Sequence, residues 1–187
     1  MALANVDSPI GFYPYALNAN REAFRIRRDV AASRSLPVMI GDAYALTANT
    51  NNAFTAEGTE GTPSDVRGIV EGIELNPLPG SAEGPVSQDY ITAADAGAII
   101  GIEDSQQMFR VQATTFANTN LDMRADLVNN TPSLTLRQSR QELDGGTLHA
   151  SNDLEFLVLD IIPAVGIWNT YGAQAKVMCQ LRHVLSN

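Results

Sequence analysis

Apolar residues in this chain alternate with polar ones in short runs that end on Gly, Pro, Asn or Asp. Alternation places every second side chain on one face of an extended strand, whereas a helix repeats about every 3.6 residues. The runs are EAFRIRRDV, SLPVMIGDAYALT, VRGIVEGIEL, GAIIGIED, QMFRVQAT, SLTLRQSRQELD, DLEFLVLDII and AKVMCQLRHVL. They are rich in β-branched and aromatic residues and bounded by turn formers, the pattern of strands. The expected fold is therefore all-β: a single β-barrel or jelly-roll-like sandwich with an extended N-terminal arm, long loops and at most one short helix. That helix is expected within Asn118–Asn130, where Leu121, Ala125 and Val128 recur at helical spacing behind Asn caps. Thr47–Asp65 and Asn76–Asp89 are polar and rich in Gly and Pro, and are expected as long surface loops. The inward positions of the clearest strands name a core: Ile69, Ile73, Ile99, Phe109, Val111, Phe156, Val158, Ile161, Val177 and Cys179.

The chain of 187 residues suits one domain with an extension, divided here into an arm, residues 1–22, and a β-rich body, residues 23–187. With 44 % apolar residues it has enough material for a core, while charged residues are only 18 %. Its polar surface is therefore built mainly from Asn, Thr, Ser, Gln and Gly. Lys176 is the only lysine, against eleven arginines. Arginine favours fixed, planar contacts, so this bias is consistent with organisation around interfaces, and equally with genomic base composition.

The net charge is −9, unevenly spread. In residues 1–40, five arginines against three acids give +2, which leaves −11 for the rest. An acidic body argues against nucleic-acid binding, which depends on clustered positive charge. No apolar run is long enough to cross a bilayer, and the start MALANVDS lacks the features of a signal peptide.

Residues for chemistry are sparse. Cys179 lies in a strand-like apolar run and is expected as a buried structural thiol. Cys179 and His183, four apart on a strand, are separated by about 13 Å. His149 follows a turn signal. Neither histidine has a marked orienting partner, so no nucleophilic triad is expected. Asp153 and Glu155 could share a strand face, but exposed carboxylates on a sheet are the commoner case. No CxxC, HExxH, calcium-loop or phosphate-cradle motif is present, so no catalytic residue, metal or cofactor is assigned.

The stretch DSPIGFYPYALNANREAFRIRRD, Asp7 to Asp29, is what remains. Pro9, Gly11 and Pro14 oppose regular structure, and three aromatics follow within four positions. Aromatics and Arg anchor protein interfaces. The candidate partner-binding residues are Phe12, Tyr13, Pro14, Tyr15, Arg21, Arg25, Arg27 and Arg28. Asp7 to Asn20 is expected as an irregular arm, and Glu22 to Val30 as a first strand with its arginines facing an acidic partner or a neighbouring subunit. The competing expectation is that IGFYPY packs back over the open end of its own barrel.

Taken in order, ANVDSPIGFYPY, PVMIGDAY, VRGIVEGIE, GIEDSQQMFRVQAT, LDMRADLV, DLEFLVLDIIP and AKVMCQLRHV resemble small structural proteins of tailed bacteriophages. Those proteins often begin Ala-Asn-x-Asp-x-Pro-x-Gly-x-x-Pro, as Ala4 to Pro14 nearly does here. The chain departs from the pattern at Tyr13 and in the acidic, Gly-rich loop Thr55–Asp65, which leaves oligomeric state and docking axis open. The resemblance implies a capsid decoration, or cement, protein. Such a protein is made in the host cytoplasm, binds the outer surface of the icosahedral head, bridges major capsid protein subunits and stabilises the shell. It implies a homo-oligomer, dimer or trimer, with no nucleic-acid, membrane or small-molecule partner. Removing Met1 to Arg28 would then abolish capsid binding while the body still folds. The alternative is a head fibre or a carbohydrate-binding or adhesion module of the virion, disfavoured by the single tryptophan, Trp168.

Overall fold

The computed structural model describes residues 5, 7, 9–17, 23–33, 35–47, 52–55, 66–75, 90–128, 130, 132–150, 155–162 and 169–182. Sixteen strands occur among them. In chain order they are β1 (Tyr13–Leu17), β2 (Arg25–Val30), β3 (Val38–Met39), β4 (Ala43–Leu46), β5 (Ala53–Thr55), β6 (Val66–Leu75), β7 (Tyr90–Ile91) and β8 (Gly97–Ile102). Then follow β9 (Gln107–Gln112), β10 (Thr115–Phe116), β11 (Arg124–Ala125), β12 (Leu127–Val128), β13 (Glu142–Leu143), β14 (Phe156–Ile161), β15 (Gly172–Ala173) and β16 (Lys176–Leu181). The fold is all-β.

Two five-stranded antiparallel sheets form the body. The first has the order β1-β9-β16-β14-β11 and the second β2-β8-β6-β4-β5. Three small ribbons, β3-β7, β10-β15 and β12-β13, complete the ladders. Register shifts at Tyr44/Ala45 and Val70/Gly72 bulge the second sheet, and bulges bend and twist a strand. A bridge from Asp29 to Asn52 brings the start of β5 back towards β2, so the sheet curls into a half-barrel.

The main core lies between the sheets, where Ala43, Ile69 and Ile102 of the curled sheet meet Phe109, Phe156 and Val177 of the other. A second cluster fills the curl itself, with Tyr44 among Val30, Val38, Val70, Ile91 and Ile99. The Tyr44 ring lies on bare backbone: a Cβ on Gly101 would overlap its hydroxyl, and one on Gly68 would stand 2.9 Å from it. Both positions therefore exclude any larger residue while Tyr44 is seated.

The core expected from alternation is found, with Ile69, Ile73, Ile99, Phe109, Val111, Phe156, Val158, Val177 and Cys179 buried and Ile161 half-buried at the end of β14. Burial alone pushes the Cys179 thiol far above its ordinary range, so it packs as a small apolar group.

Three local expectations change. Asn118–Asn130 is not an α-helix: a 3-10 turn, Asn118–Asn120, leads into β11 and β12. The segment is crowded with Asn and Asp, which bond nearby backbone and compete with helix. Asn120 Oδ1 accepts from the Ala117 amide at 2.9 Å, and Asp122 takes a φ of 60°. The run SLTLRQSRQELD places Leu134 and Leu136 in a turn, 53 % and 66 % exposed, and only Glu142–Leu143 is strand. The arm segment Tyr13–Leu17 is regular, paired antiparallel to β9 at the sheet's edge. Pro14 is tolerated because an edge strand needs no inward and outward donor at every residue, and the register shift between Pro14 and Ala16 absorbs the irregularity. The predicted loop Asn76–Asp89 lies outside the described residues, and Thr47–Asp65 contains β5.

Candidate functional site

The stretch from Phe12 to Val30 is divided between groups the chain uses internally and groups it leaves in solvent. Phe12 belongs to the first class. It is 1 % exposed and stacks on Phe156 with ring centroids 4.6 Å apart. The backbone directs it there. Gly11, at φ 75°, fits against the Gly41 carbonyl and the Ser139 side chain, where a Cβ would collide with both. The Phe12 amide then donates to the Gly41 oxygen at 2.8 Å. Phe12 is thus packed into the chain's own fold, the part of IGFYPY for which the competing expectation holds.

Tyr13 is half-buried, opposite Arg110 on β9, whose guanidinium sits 5.4 Å from its ring centroid. Pro14 is exposed and Tyr15 is 45 % exposed. Arg21 lies outside the described residues.

Arg25 and Arg27 face outward on β2, whereas Arg28 lies half-buried on the same strand face as Val30, and all three meet carboxylates of their own chain. Arg25 pairs with Glu71 through two nitrogens, one donating at 2.8 Å. Arg27 donates to Glu74 at 3.0 Å and to Asp29 at 2.8 Å. Arg28 donates to both Glu103 oxygens at 2.7 and 2.8 Å, and Tyr44 donates to one of them at 2.7 Å. Hydrogen bonds to Glu74 and then Asp29 hold the Arg27 pKa up, and those to Glu103 do the same for Arg28. Because β2 and β6 flank β8, the Arg25 and Arg27 pairs span that strand on the outer face of the half-barrel. Burial, followed by the bond to Glu103, pushes the Tyr44 hydroxyl far above its ordinary range, so it stays a donor.

Sequence reasoning misses Phe24. Alternation suggests an inward residue, yet its side chain is 56 % exposed. Its backbone is pinned on both sides: the amide donates to Asp104 Oδ2 at 3.2 Å, and the carbonyl accepts from the Glu103 amide at 3.0 Å. Asp104 also accepts from the Gln106 amide at 2.9 Å, so one carboxylate shapes the β8–β9 turn and fixes Phe24. A carboxylate just after a strand, followed by polar turn residues, is the only signal of this in the sequence.

His149 is exposed, while His183 and Asp153 lie outside the described residues. Among the described residues no three His, Cys, Asp or Glu side chains converge as a metal site. No helix among them is long and apolar enough to cross a membrane. Comparison of the chain with models of protein families, with curated proteins and with solved structures gives no match.

Proposed function

We propose that this chain is a structural virion protein: a capsid decoration, or cement, protein that binds the outer surface of an icosahedral phage head, bridges major capsid protein subunits and stabilises the shell as a homo-oligomer. The observation that carries the proposal is an N-terminal edge strand with Pro14 and Tyr15 in solvent, followed by a backbone-pinned, exposed Phe24. Edge strands present unpaired backbone groups, and aromatic rings are the preferred anchors of interfaces. A ring on a fixed backbone loses little freedom on docking, which favours association. The ordered set of phage-like motifs in the sequence supports the same reading. Many copies, each of modest affinity, clamp a shell through multivalency.

The proposal narrows the docking residues to Pro14, Tyr15 and Phe24, because Phe12 and the β2 arginines have partners within the chain. Deleting Met1 to Arg28 is not a clean test, since that deletion removes β1, four of the six residues of β2 and a core aromatic. Tyr15→Ser with Phe24→Ser alters only exposed rings. Co-sedimentation with expanded heads of the phage whose genome encodes the chain should show at least about tenfold weaker binding, corresponding to about 1.4 kcal/mol. The melting temperature should stay close to that of the unaltered protein. Wild-type binding by the double variant would remove this face from the proposal.

A further inference from the structure

Lys176 opens β16 directly across the ladder from Gln112, the last residue of β9. Direct antiparallel partners project their side chains from the same face, about 5 Å apart at Cβ. Lys176 Nζ donates to the Gln112 carboxamide oxygen. The carboxamide nitrogen donates to Glu142 Oε1 and, at 2.8 Å, to Asp7 Oδ1. Glu142 accepts through its other oxygen from Asn130 Nδ2. Gln112 and Glu142 are 2 % and 7 % exposed. An amine, a carboxamide and a carboxylate thus stand in a row, the last two buried and the amine half-buried, and none of them belongs to the docking face.

A network of this kind could serve only to satisfy buried polar groups. The choice of lysine argues for more. The chain uses arginine at every other basic position. What lysine has and arginine lacks is an amine that can give up its proton and act as a nucleophile. Burial lowers the Lys176 pKa, against the opposing charges of Glu142 and Asp7. The Gln112 carboxamide bridges that amine and the buried Glu142 carboxylate, which places a nucleophile and a proton carrier on either side of the bond to be exchanged.

We propose that Lys176 and Gln112 condense into an intramolecular isopeptide bond, with Glu142 carrying the proton. Lys176 passes one proton to Glu142 and becomes a neutral amine. Its Nζ attacks the Gln112 carbonyl carbon, forming the new C–N bond and a tetrahedral centre. Glu142 gives its proton to the departing Gln112 nitrogen, the Cδ–Nε2 bond breaks, and ammonia leaves. Glu142 then takes back the surplus proton from Nζ. The balance is amine plus carboxamide to secondary amide plus ammonia, with no oxidant and no external reactant. Fixed proximity in the sheet supplies the rate enhancement.

The experiment is an intact mass of the purified, denatured full chain, followed by proteolytic mapping. The expected mass is lower than the sequence mass by one ammonia, beyond any removal of Met1, with a cross-linked peptide joining Lys176 and Gln112. Lys176→Arg should have the full mass calculated for its sequence and should run more slowly on a denaturing gel than the cross-linked wild type. Glu142→Gln should also retain its ammonia if it folds, but the wild-type mass decides the matter without it. A wild-type chain of full mass overturns the proposal. So does ammonia loss without the cross-linked peptide, or a cross-link mapped to Asn130.

Discussion

Asp42 is the residue through which pH should act on this fold. It sits in the β3–β4 turn, fully buried, with Oδ2 accepting from the Met39 amide at 2.8 Å. Burial pushes its carboxyl up to about 7, against the lowering effect of bonds from Ser139 and Met39. In an unfolded chain the same group titrates near about 3.9. Between those values the folded protein binds a proton that the unfolded chain releases. Its contribution to stability is therefore present at low pH and is lost as pH rises through about 7. Asp42→Asn removes the titration and keeps an acceptor for Met39. Urea denaturation at pH 5 and pH 8 should show a stability difference of a few kcal/mol in the wild type, since each tenfold difference in proton affinity between the folded and unfolded chain is worth about 1.4 kcal/mol. The variant should show a much smaller difference. Equal differences in the two proteins would assign the pH dependence to another group. Asp42 is visible in the sequence only as half of a Gly-Asp turn signal. Its environment comes from Ser139, almost a hundred positions away, and no local pattern encodes that. Phe12 is a parallel case: an aromatic between turn formers reads as free until Phe156 is seen beneath it.

At the scale of elements, β2 separates ion pairs that contribute to stability from those that do not. Arg25 and Glu71 are 45 % and 29 % exposed at their side chains, where water and salt weaken the attraction. Arg28 and Glu103 are 17 % and 12 % exposed and share a buried tyrosine hydroxyl. Arg25→Ala should change the unfolding free energy by less than about 1 kcal/mol. Arg28→Ala removes the cation that Glu103 and Tyr44 share and should cost about 2–3 kcal/mol, short of the full penalty for a completely buried pair. Chemical denaturation of both variants checks the order, and equal losses would contradict it. The strands themselves are legible in the sequence, because alternation such as that of Phe156 and Val158 survives any tertiary arrangement. Segments dominated by side-chain-to-backbone bonds are not. Leu121, Ala125 and Val128 match a helical spacing, but Asn120 and Asp122 bond or bend the backbone locally and end the turn. Leu134 and Leu136 alternate like strand residues, yet they lie in an exposed turn closed by the Ser133–Gln138 bridge.

For the whole molecule, two sheets of five strands leave the core between them and the edges outside. The edge strand β1 is drawn in by Phe12 yet still carries Pro14 and Tyr15 into solvent. The all-β class is legible in the sequence, since it follows from summed local patterns. The division of the N-terminal stretch is not, because which groups are used internally depends on Glu71, Glu74, Glu103 and Phe156, all distant in the chain. The charge asymmetry read from the sequence is balanced in part within the molecule, through these pairs. Under the decoration proposal, docking would therefore rest more on exposed aromatic and polar groups than on a bare positive arm. The most direct test of the decoration proposal is a cryo-electron microscopy reconstruction of the encoding phage's heads, assembled with and without this chain. Density is expected on the outer surface at fixed positions between capsid subunits, present only with the chain and contacted through Tyr15 and Phe24. Heads identical in the two preparations, or density confined to the tail or interior, would contradict it.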